Sequence, residues 1–394
     1  MRILHTSDWH LGKKLEGNNR IEEQKNFIED LVKIADGEDA DIILIAGDIY
    51  DVPNPSSEAE KLFFKGVKAL SKNGKRPVII IPGNHDNPEK LGASTPLASE
   101  DGIIIFEAPF EKKEIGKYGE FEITKSGYGW IEVEVNNKKA FIYALPYPSE
   151  KALNESFSGE LKEEQISYSK RIGEILKEGI ENKSKEIPGV VMTHIFVTGA
   201  KCSEDERHIE LGGSLAVNTE DLPEIDYIAL GHIHRPMEFK KKRAVYSGSP
   251  IEYRVSENKF NKKVYIADLK GNLETEIRGV EIENYKPIIE IEVDNIEEGI
   301  ERSREMLDSN NWIYLKINSI RPLQNNEIRE IKKNKNIIEI IPIIKSNDLE
   351  EMELEEDPIE NIENAFINFY KQNNNMEPSK EIVEVFHRLL GEEE

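Results

Sequence analysis

The chain has 394 residues, 38% of them hydrophobic, with a single cysteine and a formal net charge of −24. A chain of that length is expected to fold as two or three domains. The lone Cys202 excludes an internal disulfide and a zinc site of clustered cysteines, and the acidity argues against a broadly basic protein that coats DNA. With no signal-peptide core and no apolar run near the roughly 20 residues of a membrane span, a soluble intracellular protein with no membrane partner is expected.

Along residues 1–280, short runs rich in Ile, Val and Leu each read as a buried strand. "RILHT" runs into Asp8 and His10. "RIEEQKNFIEDLVKIADG" has helical periodicity and closes at Gly37. "DIILIAG" ends at Asp48, with Asp51 three residues on. A second helix, "SSEAEKLFFKGVKALSKNG", precedes "PVIIIPG", which ends at Asn84, His85 and Asp86. "FEITKSGYGWIEVEVNNKKAFIYALPYPS" alternates about an Asn-Asn turn and predicts a hairpin. "GVVMT" ends at His194, and "DYIALG" at His232 and His234. "RAVYSGSPIEYRV" and "KKVYIADLKGNLETEIRGVEI" are expected to close a second sheet. The β-α-β alternation predicts a layered α/β domain. In such sheets, polar residues just past the strand ends gather along one rim, where ligands bind.

From residue 281 the pattern resets. "PIIEIEV", "NIEEGIERSREML", "NWIYLKIN", "NNEIREIKK" and "NIIEIIPII" alternate strand with helix and predict a small α/β domain over 281–345. An acidic linker over 346–358 follows. Residues 359–394 hold two short amphipathic segments. Ile359, Ile362, Phe366 and Phe369 share one face of the first, and Ile382, Val385, Phe386, Leu389 and Leu390 one face of the second. Helices with so little core of their own suit docking in a partner's groove; folding back on their own chain is the alternative. The acid concentrates here, residues 281–394 carrying a net of −15 against −9 for the rest. Basic runs at Lys13–Lys14, Lys72 with Lys75–Arg76, and Lys240–Arg243 leave a nucleic-acid partner open without predicting one.

Five strand ends thus deliver seven ligand-type side chains: Asp8, His10, Asp48, Asn84, His194, His232 and His234. Asp8 with His10, and His232 with His234, are spaced i, i+2, so on an extended backbone each pair points one way. Asp48 has two oxygens and can bridge two cations, and Asn84 offers an amide oxygen. The set suits a two-metal centre with ions about 3.5–4 Å apart. Imidazole and carboxylate without thiolate suit Mn²⁺, Fe²⁺ or Zn²⁺, with Mn²⁺ favoured for a phosphodiester substrate. A single-metal site is the alternative and leaves ligands unused. His85 adjoins Asn84 but points elsewhere, as a general acid or a donor to phosphoryl oxygens. Asp86 is expected to orient His85 or a ligating histidine, or else to serve as a turn residue. His5, His208 and His387 are read as structural.

In order, "DWH…GDIYD…GNHD…H…GHIH" resembles the signature of the calcineurin-like metallophosphoesterases: D-x-H, G-D-x-x-D, G-N-H-D/E, H and G-H-x-H. More narrowly, "HTSDWHLGKK", "VTGAKCSEDERHIELGGS" and "DYIALGHIHRP" resemble the Mre11/SbcD branch, the DNA double-strand-break repair nucleases. The resemblance is strong over residues 1–255, weaker over 281–345 and architectural beyond. It implies an α/β/β/α metallophosphoesterase sandwich over residues 1–280, a small α/β DNA-capping domain over 281–345, and a Rad50-binding helical tail. It implies two Mn²⁺ per subunit. Asp8, His10, Asp48 and His234 hold one, Asp48, Asn84, His194 and His232 hold the other, and His85 is catalytic. A metal-bridging hydroxide attacks phosphorus in line and the 3′-oxygen departs. The implied activities are 3′→5′ exonuclease on duplex DNA and single-strand endonuclease. The implied partner is a Rad50-type ATPase, docked through Ile362, Phe366, Phe369, Val385, Phe386 and Leu389. Family members form homodimers through helices near the start of the nuclease domain, for which Leu62, Phe63, Val67 and Leu70 are the candidates; ordinary core packing is the alternative for them. An archaeal-type, cytoplasmic and nucleoid-associated protein is implied. Asp51 stands where several archaeal and eukaryotic members carry a histidine that touches the substrate phosphate. No G-x-x-x-x-G-K-S/T loop is present, so ATP use belongs to a partner chain. Two alternatives remain: a metallophosphodiesterase for small phosphodiesters or phosphoproteins, and a scaffold that kept the fold and lost its metals, which predicts gaps in the ligand set.

Overall fold

The computed structural model describes residues 1–93, 98–155, 161–200 and 215–344, and beyond these 366–367, 370–371 and 378–389. Strands β1 (Arg2–Thr6), β2 (Ile42–Ala46), β3 (Val78–Ile81) and β4 (Ile103–Ile105) are neighbours in that order and run parallel. Both their faces are covered, which is why each reads as an unbroken apolar run. Helices α1 (Ile21–Gly37) and α2 (Ser57–Leu70) supply crossovers that parallel pairing requires. Phe63, Val67 and Leu70 of α2, with Phe27 and Leu31 of α1, pack on Leu4, Ile43, Ile45 and Ile80 of the sheet. The expected dimer surface is corrected here. Phe63, Val67 and Leu70 are fully buried in this chain's own core, and of the four only Leu62 is partly exposed. An amphipathic helix has one apolar stripe, and the sheet takes it.

A second sheet faces the first. It runs from β5 (Gly116–Tyr118) through β6 (Phe121–Gly127), β7 (Trp130–Val135), β8 (Lys138–Leu145) and β9 (Gly189–His194) to β10 (Tyr227–Gly231). Its far edge is β11 (Met237–Phe239), paired outside β12 (Ala244–Tyr246). β7 and β8 form the expected hairpin, with Asn136 and Asn137 at φ of 52° and 60°, the left-handed pair that a two-residue turn needs. Between the sheets, Ile3, Leu44 and Ile79 meet Ile142, Met192 and Ala229. Helix α3 (Leu161–Gly179) covers the outer face through Ile172, Ile175 and Leu176. The layers are therefore helix, sheet, sheet, helix. One expectation is corrected: β13 (Lys263–Gly271) and β14 (Glu274–Glu281) extend the first sheet beside β1 and do not close the second.

A third sheet, β15 (Ile288–Val293), β16 (Trp312–Ser319) and β17 (Ile337–Ile344), carries α4 (Ile296–Glu305) and α5 (Asn325–Ile331). Its inner core includes Val293, Ile313, Leu315 and Ile331. On the other side, Ile288, Trp312 and Tyr314 pack with Leu15. Trp312 Nε1–H donates to Glu23 Oε1 at 2.9 Å, and Ile288 N–H to Glu252 Oε2 at 2.9 Å. These bonds tie the small sheet to α1 and to Glu252, which opens the segment that backs the site described below.

Residues Met1–Ile317 and Leu323–Pro342 form one compact unit, and Asn318–Pro322 with Ile343–Glu394 a second. In the second, Phe366 stacks on Phe386 of helix α6 (Lys380–Leu389), ring centroids 4.1 Å apart. These two docking candidates therefore cover each other, while Val385 is exposed. Ile362, Phe369, the acidic linker, Cys202 and His208 lie outside the described residues, as do the side chains of His387 and Leu389. No helix among the described residues is long and apolar enough to cross a membrane.

Candidate metal centre

The parallel strands of both sheets end at one rim, where the chain kinks. Asp8, His10 and Asp48 have φ of 54°, 44° and 50°, and His232 has φ of 109°. Residues other than glycine rarely adopt such values, at a cost on the order of 1–3 kcal/mol each. The i, i+2 spacing thus works by a different device from the one expected. Left-handed kinks, and not strand alternation, turn Asp8 and His10 into the same cleft. Cross-loop bonds hold the kinks. Asp8 N–H donates to Gly47 O and His10 N–H to Asp48 O, both at 3.0 Å. His232 N–H donates to Asp8 Oδ1, and His85 N–H to Asp48 Oδ1, again at 3.0 Å.

All seven expected ligands converge. His10 Nε2 lies 3.0 Å from His234 Nε2. His194 Nε2 and His232 Nδ1 lie 3.1 and 3.0 Å from Asn84 Oδ1. Asp48 stands between the two groups, its Oδ2 3.6 Å from His10 Nε2 and 3.4 Å from His194 Nε2. Donor atoms of Asp8, His10 and His234 lie within 4.8 Å of one another, as do those of Asp8, Asp48 and His194. The crowding explains two motif glycines: a Cβ on Gly231 would collide with Ala46 O, and one on Gly83 with the Asp48 carboxylate.

The outer ring nitrogens are fixed. His194 Nδ1–H donates to Ala46 O at 2.9 Å, and His234 Nδ1–H to Glu257 Oε1 at 3.0 Å, which leaves their Nε2 atoms facing inward. His10 Nδ1 is buried with no hydrogen-bond partner among the described residues. Burial pushes Asp8 up to about 6 against the pull of His194 and His234. At Asp48 burial acts the same way, but His194 and His10 outweigh it and hold the carboxyl well below its usual range. Burial opposes charge on His194, yet Asp48 outweighs it and lifts the imidazole to about 9. Burial lowers His10, and lowers His232 to about 3. Four imidazoles facing carboxylate and amide oxygens at these distances, two of them (His10 and His232) held toward the neutral form by burial, form a donor set for divalent cations.

Of the roles open to Asp86, orienting His85 is not the one it takes. The His85 Nδ1–H donates to the backbone oxygen of Asp51 at 2.8 Å, so Asp51 and not Asp86 orients it. The ring is half-buried, edge-on to His10 with centroids 4.9 Å apart. Asp86 accepts from the backbone N–H groups of Gly83, Ile49 and Tyr50 at 2.9, 3.0 and 2.9 Å. It clamps the loop after β3 to the loop after β2. Burial pushes its carboxyl up to about 6, with Asp48 adding repulsion. The Asp51 carboxylate pairs with Lys13 at 2.6 Å.

Sequence reasoning missed the support behind His234. Glu257 is buried, accepts from Ser249 Oγ at 3.1 Å and pairs with the buried Lys262. Burial opposes its charge, but Lys262 and His234 outweigh that and hold it well below the carboxylate range. The Tyr253 hydroxyl donates to Trp9 O and accepts from Gln24 Nε2–H, and its ring lies 5.6 Å from His10 and 6.1 Å from His234. Tyr147, just past β8, was also missed; its ring lies 6.2 Å from His194 and 6.5 Å from His232. The one available signal was that "FIYALPYPS" runs to the same rim as the other strands. His5, as expected, is buried structure, its Nδ1 3.0 Å from the Tyr227 hydroxyl. The basic runs are largely paired at home: Lys72 and Arg76 with Asp36, Lys242 and Arg243 with Glu224.

Residues 1–236 match the calcineurin-like phosphoesterase family. The chain is 36% identical over 399 residues to the SbcD subunit of the nuclease SbcCD from Bacillus subtilis (strain 168), covering 99% of this chain and 98% of that protein. It is 27% identical over 323 residues to the corresponding SbcD subunit from Staphylococcus epidermidis, covering 81% and 79%. Both relatives are bacterial, so the expected archaeal type has no support in them. Among solved structures, a dimetal phosphatase from Danio rerio is 13% identical, with a TM-score of 0.39, over 72% of this chain and 97% of that one.

Proposed function

Because the chain belongs to the calcineurin-like phosphoesterases and, within them, to the SbcD nuclease subunits, we propose that this hydrolytic nuclease is Mn²⁺-dependent. On this reading it cuts DNA at double-strand breaks, as a 3′→5′ exonuclease and a single-strand endonuclease, in the cytoplasm with a Rad50-type ATPase. The observation that carries the reading is Asp48 Oδ2, set between two groups of imidazoles at 3.6 and 3.4 Å.

Asp8, His10, Asp48 and His234 would hold one ion, and Asp48, Asn84, His194 and His232 the other. Bound there, divalent cations supply Lewis acidity toward the phosphate and make water a nucleophile at neutral pH. The side chains do the rest. His85, held through Nδ1 by Asp51 O, is free to pass a proton from Nε2 to the departing 3′-oxygen. Lys13, paired with Asp51, sets a cation at the mouth of the cleft, close to the position where some relatives carry a phosphate-binding histidine. The tail bears the ATPase-docking role through residues such as Val385, and a homodimer would use Leu62 on the groove between α1 and α2.

Metal analysis alongside cleavage of a 3′-labelled duplex, with Mn²⁺ and Mg²⁺ compared, tests this reading. Metal-free protein that still cuts DNA would end it. Truncation after residue 345 is expected to keep metal-dependent cleavage and abolish co-purification with the ATPase; a truncated chain that still co-purifies would remove the docking role. A second reading, hydrolysis of small phosphodiesters, is favoured by the local pairing of the basic runs. Turnover of a chromogenic phosphodiester without cleavage of duplex ends would select it.

A further inference from the structure

Beside the metal centre lies a cavity of about 610 Å³, within the roughly 300–1,000 Å³ span of small-ligand sites. Its walls come from three rim segments, those after β3, β4 and β8, together with Pro53. Five of the lining residues are prolines: Pro53, Pro82, Pro88, Pro109 and Pro146. Proline fixes its own φ and carries no N–H, so these stretches of wall are rigid and apolar, while Asn87, Ser149 and the charged residues make the rest polar. Asn84 lines the cavity while its Oδ1 faces His194 and His232. A phosphate held at the metal centre therefore has the cavity as its immediate neighbour. Tyr147 closes the same side, its ring within 24° of parallel to that of His232.

The chemistry of the lining selects the occupant. Glu89 and Glu107 contribute negative charge and Lys151 a single positive charge, a balance unsuited to a second phosphate. Asp86 has committed its oxygens to three backbone N–H groups. What remains is a slot of rigid proline walls, an aromatic ring and the neutral polar groups of Asn87 and Ser149, which suits a flat, uncharged heterocycle with polar edges. We propose that this cavity seats one unpaired nucleobase of the strand being cut, stacked along Tyr147, while its 5′-phosphate lies at the metal centre. The proposal deepens the nuclease reading and rests on it. A base inside a duplex is paired and sandwiched, so the occupant must come from a frayed end or a single strand, where unstacking is least costly.

The test uses the full chain with Mn²⁺ and follows hydrolysis of bis(p-nitrophenyl) phosphate. The inhibitors are deoxyadenosine 5′-monophosphate, deoxyribose 5-phosphate and inorganic phosphate. The nucleotide is expected to inhibit roughly ten- to a hundredfold better than the sugar phosphate, the worth of one stacked base. Tyr147→Ala is expected to erase that advantage and Tyr147→Phe to restore it. Ala152 is exposed and lines the cavity; Ala152→Trp fills the slot, and is expected to erase the advantage while inorganic phosphate inhibits as before. A nucleotide no better than the sugar phosphate in the native chain, or an advantage that survives Ala152→Trp, overturns the proposal. DNA cleavage is measured in parallel: uncut DNA beside normal ester hydrolysis and phosphate inhibition sinks the nuclease reading, and the inhibitor comparison reports on the slot separately.

Discussion

The metal centre has two unlike halves that share Asp48. In one, Asp8, His10 and His234 are 0%, 1% and 8% exposed, with Glu257, Lys262 and Tyr253 behind them. In the other, Asn84 is exposed and His232 partly so, and beside them lies an open cavity; only His194 is fully buried. The same ligand chemistry is thus built with opposite freedom. A buried donor whose far nitrogen is bonded is held in place before any ion arrives. Donors at the lip of a cleft can shift as substrate enters and product leaves. If each half holds an ion, as proposed, the buried half would retain its ion and the open half would exchange its own and meet the phosphate.

Asp48→Asn tests the shared element and has the largest expected effect. Asparagine tolerates the left-handed φ that Asp48 holds, so the loop keeps its shape. Calorimetry should show Mn²⁺ affinity falling at both halves by roughly two to three orders of magnitude, with cleavage lost. One ion left at native affinity would mean that the halves are separate sites. Next comes His85→Gln, expected to leave both ions bound and slow cleavage by about 10²–10⁴-fold. Metal lost from that variant would make His85 a ligand, as part of its close group with His10 and Asp51.

The contrast between halves was not legible in the sequence, although every candidate ligand was. A parallel strand delivers its next residues to the rim, so "GD", "GNHD" and "GHIH" announce their positions without further information. Glu257 and Lys262 announce nothing, because "SENKFNK" has the look of a solvated loop and only the packing of that segment under His234 buries it. The kinks at Asp8, His10 and Asp48 are nearly as silent, since none of the three positions is itself a glycine or asparagine, although Gly47 precedes Asp48 at φ 89°. For Asp86 the sequence left two roles open, orienting a histidine or serving as a turn residue, and could not choose, because the three backbone N–H groups it accepts from come partly from its own loop and partly from the loop after β2. On α2 the apolar stripe was plain, but its spacing is the same whether a sheet or a second subunit covers it.

Glu257→Gln sharpens the comparison from behind. Glutamine still accepts from His234 Nδ1–H, but Lys262 is left as a buried cation without its counter-charge. The buried half is expected to lose about 10- to 100-fold in metal affinity, while the open half keeps its own. Mn²⁺ titration followed by electron paramagnetic resonance distinguishes the two classes. Equal weakening of both would erase the distinction between them. Urea unfolding should also show a loss of about 3–5 kcal/mol from the broken buried pair.

Tyr253→Phe makes the smallest change, because the ring between His10 and His234 stays and only its hydroxyl goes. That hydroxyl donates to Trp9 O and accepts from Gln24 Nε2–H at 3.0 Å, and Gln24 Nε2–H also donates to His10 O at 2.9 Å. Hydroxyl, amide and main chain thus form a short relay onto the kink at His10. A bond of this kind contributes about 0.5–1.5 kcal/mol net, so stability should fall by about that amount in urea. Loosening at His10 should weaken the buried half by a factor of roughly 2–10, the same energy expressed as affinity. The open half draws no ligand from this segment and should not change. A variant that weakens the open half as much would show that Tyr253 acts by general loosening of the rim, and the two halves would then be one mechanical unit.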